Sequence, residues 1–383
     1  MQVLVLGAGL QGAACAYDLL SPPDAVVTLA DAQPVSLPPF LADTPPDRLL
    51  QIELDVRNEI AAAAAIRAHD VALSALPYYL NYEMAQLSVE GGTHFADLGG
   101  NTDIVERQKS LNAQAQKAGV SVVVDCGLAP GMANILAMDL IDRFDEVTNV
   151  NLYVGGLPQN PTPPLNYQIV YSLEGALDYY TTQAWIVRDG KPQHVEALSE
   201  LEYITFPNPV GQLEAFHTAG GLSTMPWDFA GKVDRMEYKT LRYPGHVAYM
   251  KPVRELGLLG LEPVDVKGVS IVPRDVFVSL ADRKLRKPEG RDLVALLVTA
   301  SGTRGGVAGR VTHQLIDLYD EQHGLSAMMR TTGYSLSLTA QMLMDGRIGD
   351  RGVYTAYQVT PSRFYIDELR KRGIAVETTE GNE

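Results

Sequence analysis

The first twenty residues constrain the fold of this chain more than any other segment. Residues 2–6 (QVLVL) are a short apolar run rich in β-forming residues, the turn GAGLQG fills positions 7–12, and residues 13–20 have helical spacing. Strand, glycine turn and helix in this order form the dinucleotide-binding fingerprint. The chain therefore starts as the first βαβ unit of a nucleotide-binding sheet.

Each residue of the turn has a predicted role. Gly7 permits the tight turn, Gly9 lets the backbone approach a pyrophosphate, and Gly12 lets the helix pack closely on the strand. Leu10 and Gln11 open the helix, whose N-terminus offers N–H groups and a positive dipole end to phosphates. All five residues are predicted to bind the cofactor.

Asp31 indicates which dinucleotide binds. A second predicted strand covers residues 26–30, and Asp31 closes it 19 residues after Gly12. A carboxylate there accepts the ribose hydroxyls of an adenosine and repels a 2′-phosphate. No arginine lies between Asp31 and Arg48. The sequence therefore favours NAD over NADP.

Strands and helices continue to alternate as far as residue 125, which is typical of a parallel sheet. The predicted fold class is α/β, a Rossmann doubly wound parallel sheet joined to an α+β domain. The exception is the segment 33–46, whose five prolines forbid a regular helix and predict a loop. That loop is expected either to lie near the adenine or to be a solvated surface loop.

Ligands of such sheets bind at the carboxyl ends of the strands. Besides the glycine turn, three segments are expected at that edge: 75–78, 97–101 and 125–131. The cofactor-binding residues predicted from them are Ala75, Leu76, Pro77 and Gly99.

Near Glu146 the pattern changes to period-two stretches with occasional helices, which predicts an α+β substrate-binding and oligomerisation domain. Residues 331–344 return to apolar, helical character. The expected organisation is a discontinuous NAD-binding domain, residues 1–130 plus 331–383, around a second domain of residues 131–330. The polar tail 377–383 is expected to be frayed.

Composition excludes several function classes. The 31 basic and 46 acidic residues give a formal charge of −15, which argues against nucleic acid and anionic membrane surfaces as partners. Two cysteines exclude a disulfide framework, and no apolar run is long enough for a transmembrane helix. With a strand starting at the second residue, a cytoplasmic protein without a signal peptide is expected. No zinc-ligand spacing, P-loop or GxSxG elbow occurs, so no metal is predicted.

Further motifs carry a family resemblance. The glycine fingerprint is joined in order by motifs that run over nearly the whole chain: DLGG (97–100), GLAPGM (127–132), YSLEG (171–175), EAFHTAGGLST (214–224) and KTLRYPGH (239–246). Together they resemble the saccharopine dehydrogenase family, and within it the bacterial lysine 6-dehydrogenases. The proline-rich segment departs from that pattern, and the role of Cys126 does not carry over.

The resemblance implies a nicotinamide enzyme that interconverts an amine and an imine, with the substrate held between two domains, in dimers or larger homo-oligomers. A lysine 6-dehydrogenase oxidises the ε-carbon of L-lysine with NAD. The product aldehyde cyclises to a piperideine carboxylate and ammonia is released. The expected substrate is thus a small amino acid, L-lysine.

The chemistry of this reaction selects polar candidates. Hydride loss needs a neutral amine, and neutralising a lysine side chain at pH 7 costs roughly 4–5 kcal/mol. Asp97 and His217 are the predicted catalytic residues: Asp97 to hold the amine or take its proton, His217 as a base or donor. Alternatively, Asp97 caps the helix that begins near Thr102, and His217 is a structural hydrogen-bonding residue.

Substrate binding is assigned to five residues. Arg242 is the candidate for the substrate carboxylate because its planar fork binds two oxygens, the alternative being a salt bridge at a sheet edge. His246 is a possible donor, and Tyr171 and Tyr78 could wall the pocket. If the strand is regular, Thr240 shares the face of Arg242 whereas Lys239 lies on the opposite face.

Two other functions stay open. A saccharopine-type reductase would act on a secondary amine formed from an amine and a keto acid, and its additional carboxylates would need more arginines, with Arg330 as a possible second. A non-catalytic NAD-binding sensor would bind NAD and leave it unchanged.

Overall fold

The structure is a computed structural model that describes residues 1–170 and 172–381. In these ranges the strands are β1 Gln2–Leu6, β2 Val26–Asp31, β3 Leu49–Glu53, β4 Val71–Ser74, β5 His94–Asp97, β6 Ser121–Val124, β7 Glu146–Pro158, β8 Ala184–Arg188, β9 Lys191–Val195, β10 Glu202–Thr205, β11 Gln212–His217, β12 Arg235–Arg242, β13 Val264–Val266, β14 Val269–Ile271, β15 Asp292–Arg304, β16 Val307–Leu318, β17 Gly352–Thr355 and β18 Glu377–Gly381.

The helices of the same ranges include several of only one turn, and a 3₁₀ turn at Tyr78–Leu80 precedes α4. They are α1 Leu10–Leu19, α2 Pro39–Ala42, α3 Glu59–Arg67, α4 Asn81–Gly91, α5 Thr102–Lys109, α6 Asn112–Ala118, α7 Met132–Ile141, α8 Leu173–Thr181, α9 Met225–Asp228, α10 His246–Glu255, α11 Pro273–Leu285, α12 Ala327–Met344, α13 Ala356–Val359 and α14 Ser362–Lys371. None of these described helices is long and apolar enough to cross a bilayer.

The chain divides into two units. The first comprises residues 1–142, 320–325 and 329–376. The described residues of the second are 143–170, 172–319, 326–328 and 377–381.

The first unit is built on a seven-stranded parallel sheet with the order β17-β6-β5-β4-β1-β2-β3. Strand order reverses beside β1, as in a doubly wound fold, and residues 3–6 of β1 are fully buried. The predicted α/β fold class is confirmed. The helix predicted to begin near Thr102 is α5, and a second helix, α6, follows it.

The proline-rich segment 33–46 is an ordered part of this unit. It contains only the four-residue helix α2, as its prolines predict. The Phe40 ring meets Tyr17 of α1 edge-on at 5.6 Å, and Leu41 is completely buried. The Gln51 amide of β3 donates to the Val35 carbonyl at 2.9 Å. The segment is thus packed against the first helix and the outermost strand.

The second unit is built on a nine-stranded mixed sheet with the main order β10-β11-β12-β7-β15-β16-β18, flanked by β8 and β9. β7 and β15 are its longest strands and pair in antiparallel register. The expectation of a frayed tail is wrong for residues 377–381, because they form β18 along β16 and satisfy N–H and C=O groups of that strand's edge. Residues 382 and 383 lie outside the described residues.

Both tryptophans of the chain belong to this unit. Trp185 of β8 and Trp227 of α9 lie with ring centroids 4.8 Å apart, and Trp185 also contacts the ring of His194.

Candidate active site

The glycine turn has the geometry that each of its glycines requires. Gly7 has φ +96°, a conformation that L side chains rarely adopt, and a Cβ there would lie 2.8 Å from the Ala75 carbonyl oxygen. A Cβ on Gly12 would lie 1.8 Å from the Gly7 carbonyl oxygen. At Gly9 a Cβ would meet nothing within 4 Å. The turn is therefore tightly packed at Gly7 and Gly12 and open at Gly9, where a pyrophosphate is predicted to approach the protein backbone.

The start of α1 fits a dinucleotide. Gly9 is the N-cap residue and provides no side-chain cap, so the first N–H groups of the helix have no side-chain acceptor there. Leu10 is half exposed. The buried Oε1 of Gln11 accepts no hydrogen bond from the residues that the structure describes. A polar ligand in this turn would supply that missing donor.

Asp31 reaches back into the glycine turn. Its Oδ2 accepts the Ala8 N–H at 2.8 Å, and its Oδ1 accepts the Gln33 N–H at 3.3 Å. The carboxylate is thus held at the carboxyl end of β2, beside the turn. The placement agrees with the sequence argument, and the side chain keeps lone pairs for ribose hydroxyls.

Asp31 has an acidic neighbour at this edge of the sheet. Glu53 is the register partner of Asp31 on β3. Arg57, which follows that strand, is ion-paired with Asp55 at 2.7 Å. Arg48 lies before β3, at the opposite end of the strand, where it donates to backbone carbonyls that follow α1. Acidic groups therefore outnumber basic ones at this edge.

The residues after β4 lie next to the glycine turn. The Ala75 N–H donates to the Leu6 carbonyl at 2.8 Å, and the Ala75 carbonyl is the atom that excludes a side chain from Gly7. Leu76 is half-buried and Pro77 exposed. The half-buried Tyr78 opens the 3₁₀ turn that follows, its ring 6.0 Å from that of Tyr79.

Asp97 ends β5, at the carboxyl edge of the sheet as predicted, and its side chain contacts protein groups there. Its carboxyl group is fully buried, with Oδ2 accepting from Gln108 Nε2 at 2.7 Å and Oδ1 from the Asp125 N–H at 3.2 Å. Burial raises its pKa to about 6. It does not cap α5 either, because Asn101 does so by accepting the Ile104 N–H. Asp97 thus ties together the segments that follow β5 and β6.

Asp125 and Gly99 interlock. Asp125 has φ +60°, uncommon for a residue with a side chain, and its Oδ1 accepts the Gly100 N–H at 3.2 Å. A Cβ on Gly99, itself at φ +66°, would lie 1.7 Å from that Oδ1. A glycine is therefore required at position 99 by the Asp125 carboxylate. Gly99 lies at the carboxyl edge of the sheet, where the cofactor is predicted to bind.

Both cysteines are buried free thiols. Burial raises the pKa of Cys15 and Cys126 well above the ordinary value. The Cys126 thiol donates to the Val123 carbonyl at 3.3 Å. These are the properties of small core residues.

In the second unit, Arg242 ends β12 and is almost completely buried. Its guanidinium lies over the Tyr167 ring, 4.8 Å from the centroid, and Nη1 donates to the Leu241 carbonyl at 2.8 Å. The side chain is therefore not on an exposed sheet edge. A planar cation stacked on an aromatic ring is held in one orientation, which suits carboxylate recognition.

Hydroxyl groups line the same face of β12. Thr240 Oγ1 is 2.7 Å from Thr218 Oγ1, and both side chains are buried. Tyr238 lies under Gly221, where a Cβ would meet the ring at 2.4 Å. Alternation thus places Thr240 and Arg242 on one face, as predicted, and Tyr238 lies on the same face. Tyr171, also predicted here, lies outside the described residues.

His246 opens α10 and is fully enclosed. Its Nε2 is 3.1 Å from the Tyr180 hydroxyl and its Nδ1 is 3.5 Å from the Leu165 carbonyl, so Nδ1 carries the hydrogen and Nε2 accepts. Burial, and then the charge of Arg242, lower its pKa to about 3. The predicted donor to substrate is therefore a neutral ring whose two nitrogens both contact protein groups.

Glu214 is a buried residue that sequence analysis missed. Its two carboxylate oxygens accept the N–H groups of Gly245 at 2.6 Å and Val247 at 3.1 Å, on either side of His246. Glu214 is also the cross-strand partner of Arg242. Its place in the EAFHTAGG motif was the available signal, but no spacing in the sequence indicates the N–H groups that its carboxylate accepts.

His217 lies on the other face of this sheet, so the structure does not bring it to Arg242. In β11 the alternation puts Glu214 and Phe216 on the Arg242 face and His217 on the reverse. Its Nδ1 contacts the Tyr238 carbonyl at 3.2 Å and its Nε2 the Glu200 carboxylate at 3.3 Å. This supports the structural alternative for His217.

The acidic side chains around His217 are close enough together to bind a metal ion, but they are ion-paired with arginines. Ligand atoms of Glu200, His217 and Glu237 lie within 4.8 Å of one another. However, Arg188 binds both carboxylates at 2.7–2.8 Å and Arg235 binds Glu237 at 2.8 Å. Two guanidinium groups neutralise these acids, so the residues do not fit a metal ion.

Comparisons with known proteins cover both units. Residues 3–123 match a family model described as "Saccharopine dehydrogenase NADP binding domain", and residues 127–374 match "Saccharopine dehydrogenase C-terminal domain". The first unit is thus a nicotinamide dinucleotide-binding domain.

Curated relatives are distant. The mitochondrial alpha-aminoadipic semialdehyde synthase of Mus musculus is 24% identical over 84% of this chain, which spans 42% of that relative's length. The saccharopine dehydrogenase [NADP(+), L-glutamate-forming] of Schizosaccharomyces pombe is 21% identical over 85% of this chain and 87% of its own. Neither is named as a lysine 6-dehydrogenase.

A solved structure shares the fold. The apo saccharopine dehydrogenase (L-Glu forming) of Saccharomyces cerevisiae superposes with a TM-score of 0.81 at 21% identity and covers 99% of both chains.

Proposed function

The chain belongs to the saccharopine dehydrogenase family, and from this premise we propose that it oxidises an amine-bearing carbon of an amino acid, the ε-carbon of L-lysine, with NAD. The neutral amine loses the hydrogen of a C–H bond at this carbon as hydride, which reduces NAD to NADH, and an iminium ion remains. Water then releases ammonia and leaves an aldehyde that cyclises onto the α-amine. The bound nicotinamide supplies the hydride acceptor.

One observation carries this proposal: Arg242 is buried and oriented by Tyr167, beside the hydroxyls of Thr240 and Thr218. This arrangement suits one substrate carboxylate, bound by the guanidinium fork and by hydroxyl donors.

The other buried cations of the second unit favour a small substrate. Lys239 is ion-paired with Glu202 at 2.7 Å, and Arg274 with Asp178. In the first unit, Arg330 is ion-paired with Asp320 at 3.1 Å. Each of these cations already has an acidic partner, whereas saccharopine carries carboxylates beyond the one that Arg242 would bind.

The amine must lose its proton before hydride leaves. His217 faces away from Arg242, and both nitrogens of His246 contact protein groups. We infer that solvent base removes this proton. The rate should therefore rise with pH toward the amine pKa of about 10.4, with no inflection near the histidine range. A rate plateau reached at pH 7 would refute the inference.

The preference for NAD rests on Asp31. Its carboxylate is fixed by the Ala8 N–H, and Glu53 lies beside it, so a 2′-phosphate would meet two acidic groups. The Schizosaccharomyces pombe relative is named as an NADP(+) enzyme, so a preference for NAD would be a departure from it. Asp31→Ser should shift the ratio of NAD to NADP affinity toward NADP by about tenfold or more, measured by calorimetric titration. An unchanged ratio would remove Asp31 from cofactor choice.

A saccharopine-type reaction is the second candidate, and the names of the relatives favour it. The deciding experiment follows NADH or NADPH formation at about pH 10 with L-lysine, ornithine or saccharopine, each with NAD or NADP. Formation with lysine and NAD supports the proposal, whereas activity with saccharopine alone establishes the second candidate. Cofactor binding without turnover on any of them would favour the sensor.

A further inference from the structure

The outer edge of β3 is an unused pairing surface in the first unit. β3 pairs only with β2, in parallel register. The Arg48 carbonyl and the Leu54 N–H both bond to β2. The backbone N–H and C=O groups of even-numbered residues therefore face β2, and those of odd-numbered residues face away from the sheet. Leu49 N–H is taken by the Pro45 carbonyl at 3.2 Å. In the described part of the chain, the backbone N–H and C=O groups of Gln51 and Glu53 therefore face outward, and no strand pairs with them.

The side chains of this strand are unusually exposed for a Rossmann sheet. Leu50 and Ile52 point to the face that carries α3, yet they are 45% and 37% exposed. Gln51 and Glu53 point to the other face, where the proline-rich segment replaces the usual helix. An edge strand with free backbone groups and exposed apolar side chains is a template for another strand.

We propose that two copies of this chain pair antiparallel along β3, about a two-fold axis at Ile52, so that their parallel sheets join into one. This goes beyond the proposed function and does not depend on it. Two-fold dimers are the commonest symmetric assembly, and their interface must be self-complementary.

The sequence of β3 meets that requirement in one register. With Ile52 opposite Ile52 of the second copy, Gln51 lies opposite Glu53, and their outward groups form four backbone hydrogen bonds. The Gln51 amide then faces a carboxylate, and the two isoleucines form the closely spaced, non-hydrogen-bonded pair. The outward N–H and C=O groups of Gln51 and Glu53 are then all satisfied.

Neighbouring registers fail. An axis at Gln51 would need the Leu49 N–H, which Pro45 already accepts. An axis at Glu53 would set two glutamates directly opposite each other, which is destabilising. The strand therefore specifies both its partner, a second copy, and the register of pairing.

A cysteine cross-link tests that register. Directly opposite residues of a non-hydrogen-bonded pair have Cα atoms about 4.5 Å apart, within the range that a disulfide spans. Ile52→Cys should therefore oxidise to a covalent dimer of twice the 41.6 kDa chain mass. Leu50→Cys is the matched control, because its two copies would lie roughly 13 Å apart. The native cysteines are buried and should not compete.

Mass in solution tests the interface itself. Ile52→Lys places two like charges in contact and should halve the assembly mass in light scattering, whereas Ile60→Lys, at an 85% exposed position outside the edge, should not. Because each copy carries a charge of −15, the association should strengthen with added salt. A monomeric wild type, an assembly unaffected by Ile52→Lys, or cross-linking of Leu50→Cys in preference to Ile52→Cys would each overturn the proposal.

Discussion

Asp97→Asn should make the protein more resistant to unfolding at neutral pH. The carboxyl group is fully buried, and burial raises its pKa from the ordinary 3.8 to about 6. A shift of about two pKa units corresponds to about 3 kcal/mol that folding loses when the group ionises. Because the folded pKa is the higher one, the wild-type contribution is present below pH 3.8 and is lost as the pH rises through 6.

An asparagine has no such dependence and can keep the local hydrogen bonds. Its carbonyl can accept the Asp125 N–H, and once the Gln108 amide turns over, so that its Oε1 replaces the Nε2 that now donates to Asp97, the asparagine amide can donate to that Oε1. The stability of the variant relative to wild type should therefore grow by about 2 kcal/mol between pH 4 and pH 8.

Urea unfolding followed by far-ultraviolet circular dichroism measures this difference, because the other titrating groups cancel between the two proteins. Asp24→Asn, which removes an exposed carboxylate, is the control and should run parallel to wild type. Parallel pH curves for wild type and Asp97→Asn would refute the reasoning.

Gly99→Ala should cost about 3 kcal/mol, since it combines a left-handed backbone with a Cβ 1.7 Å from the Asp125 carboxylate. Asp125→Ala in the same chain should restore part of that loss in thermal unfolding, and strict additivity of the two changes would contradict the contact. Arg242→Ala should raise KM for the amino acid about 100-fold and leave the Kd for NAD unchanged in steady-state and titration assays. His217→Gln should lower Tm and leave KM nearly unchanged. A large loss of kcat without a loss of Tm would instead indicate that His217 is catalytic.

The architecture of the first unit could be predicted because each of its signals is local. The strand, glycine turn and helix at the start are adjacent in sequence, and the contact that requires a glycine at position 12 is made with Gly7 of the same turn. The prolines of residues 33–46 also act locally, so the absence of a regular helix there was predictable. That Leu41 is buried was not, because its partners lie elsewhere in the chain.

The substrate side could be predicted only within single strands. Alternation along β12 correctly put Thr240 on the face of Arg242 and Lys239 on the opposite face. His217 was expected to be catalytic because its strand was not recognised, and the face of a residue is undefined until the register of its strand is known. The ion pairs of Glu200 with Arg188 join segments whose proximity depends on that register, so no spacing in the sequence indicated them.

The contact between Trp185 and Trp227 determines what intrinsic fluorescence can reveal about this protein. With both indoles in the second unit, a change in emission during denaturation reports on that unit, and melting of the nucleotide-binding sheet would be silent. Emission and circular dichroism followed in the same titration therefore act as separate reporters. Coincident curves would mean that the two units unfold as one cooperative system, and displaced curves would give each unit its own stability.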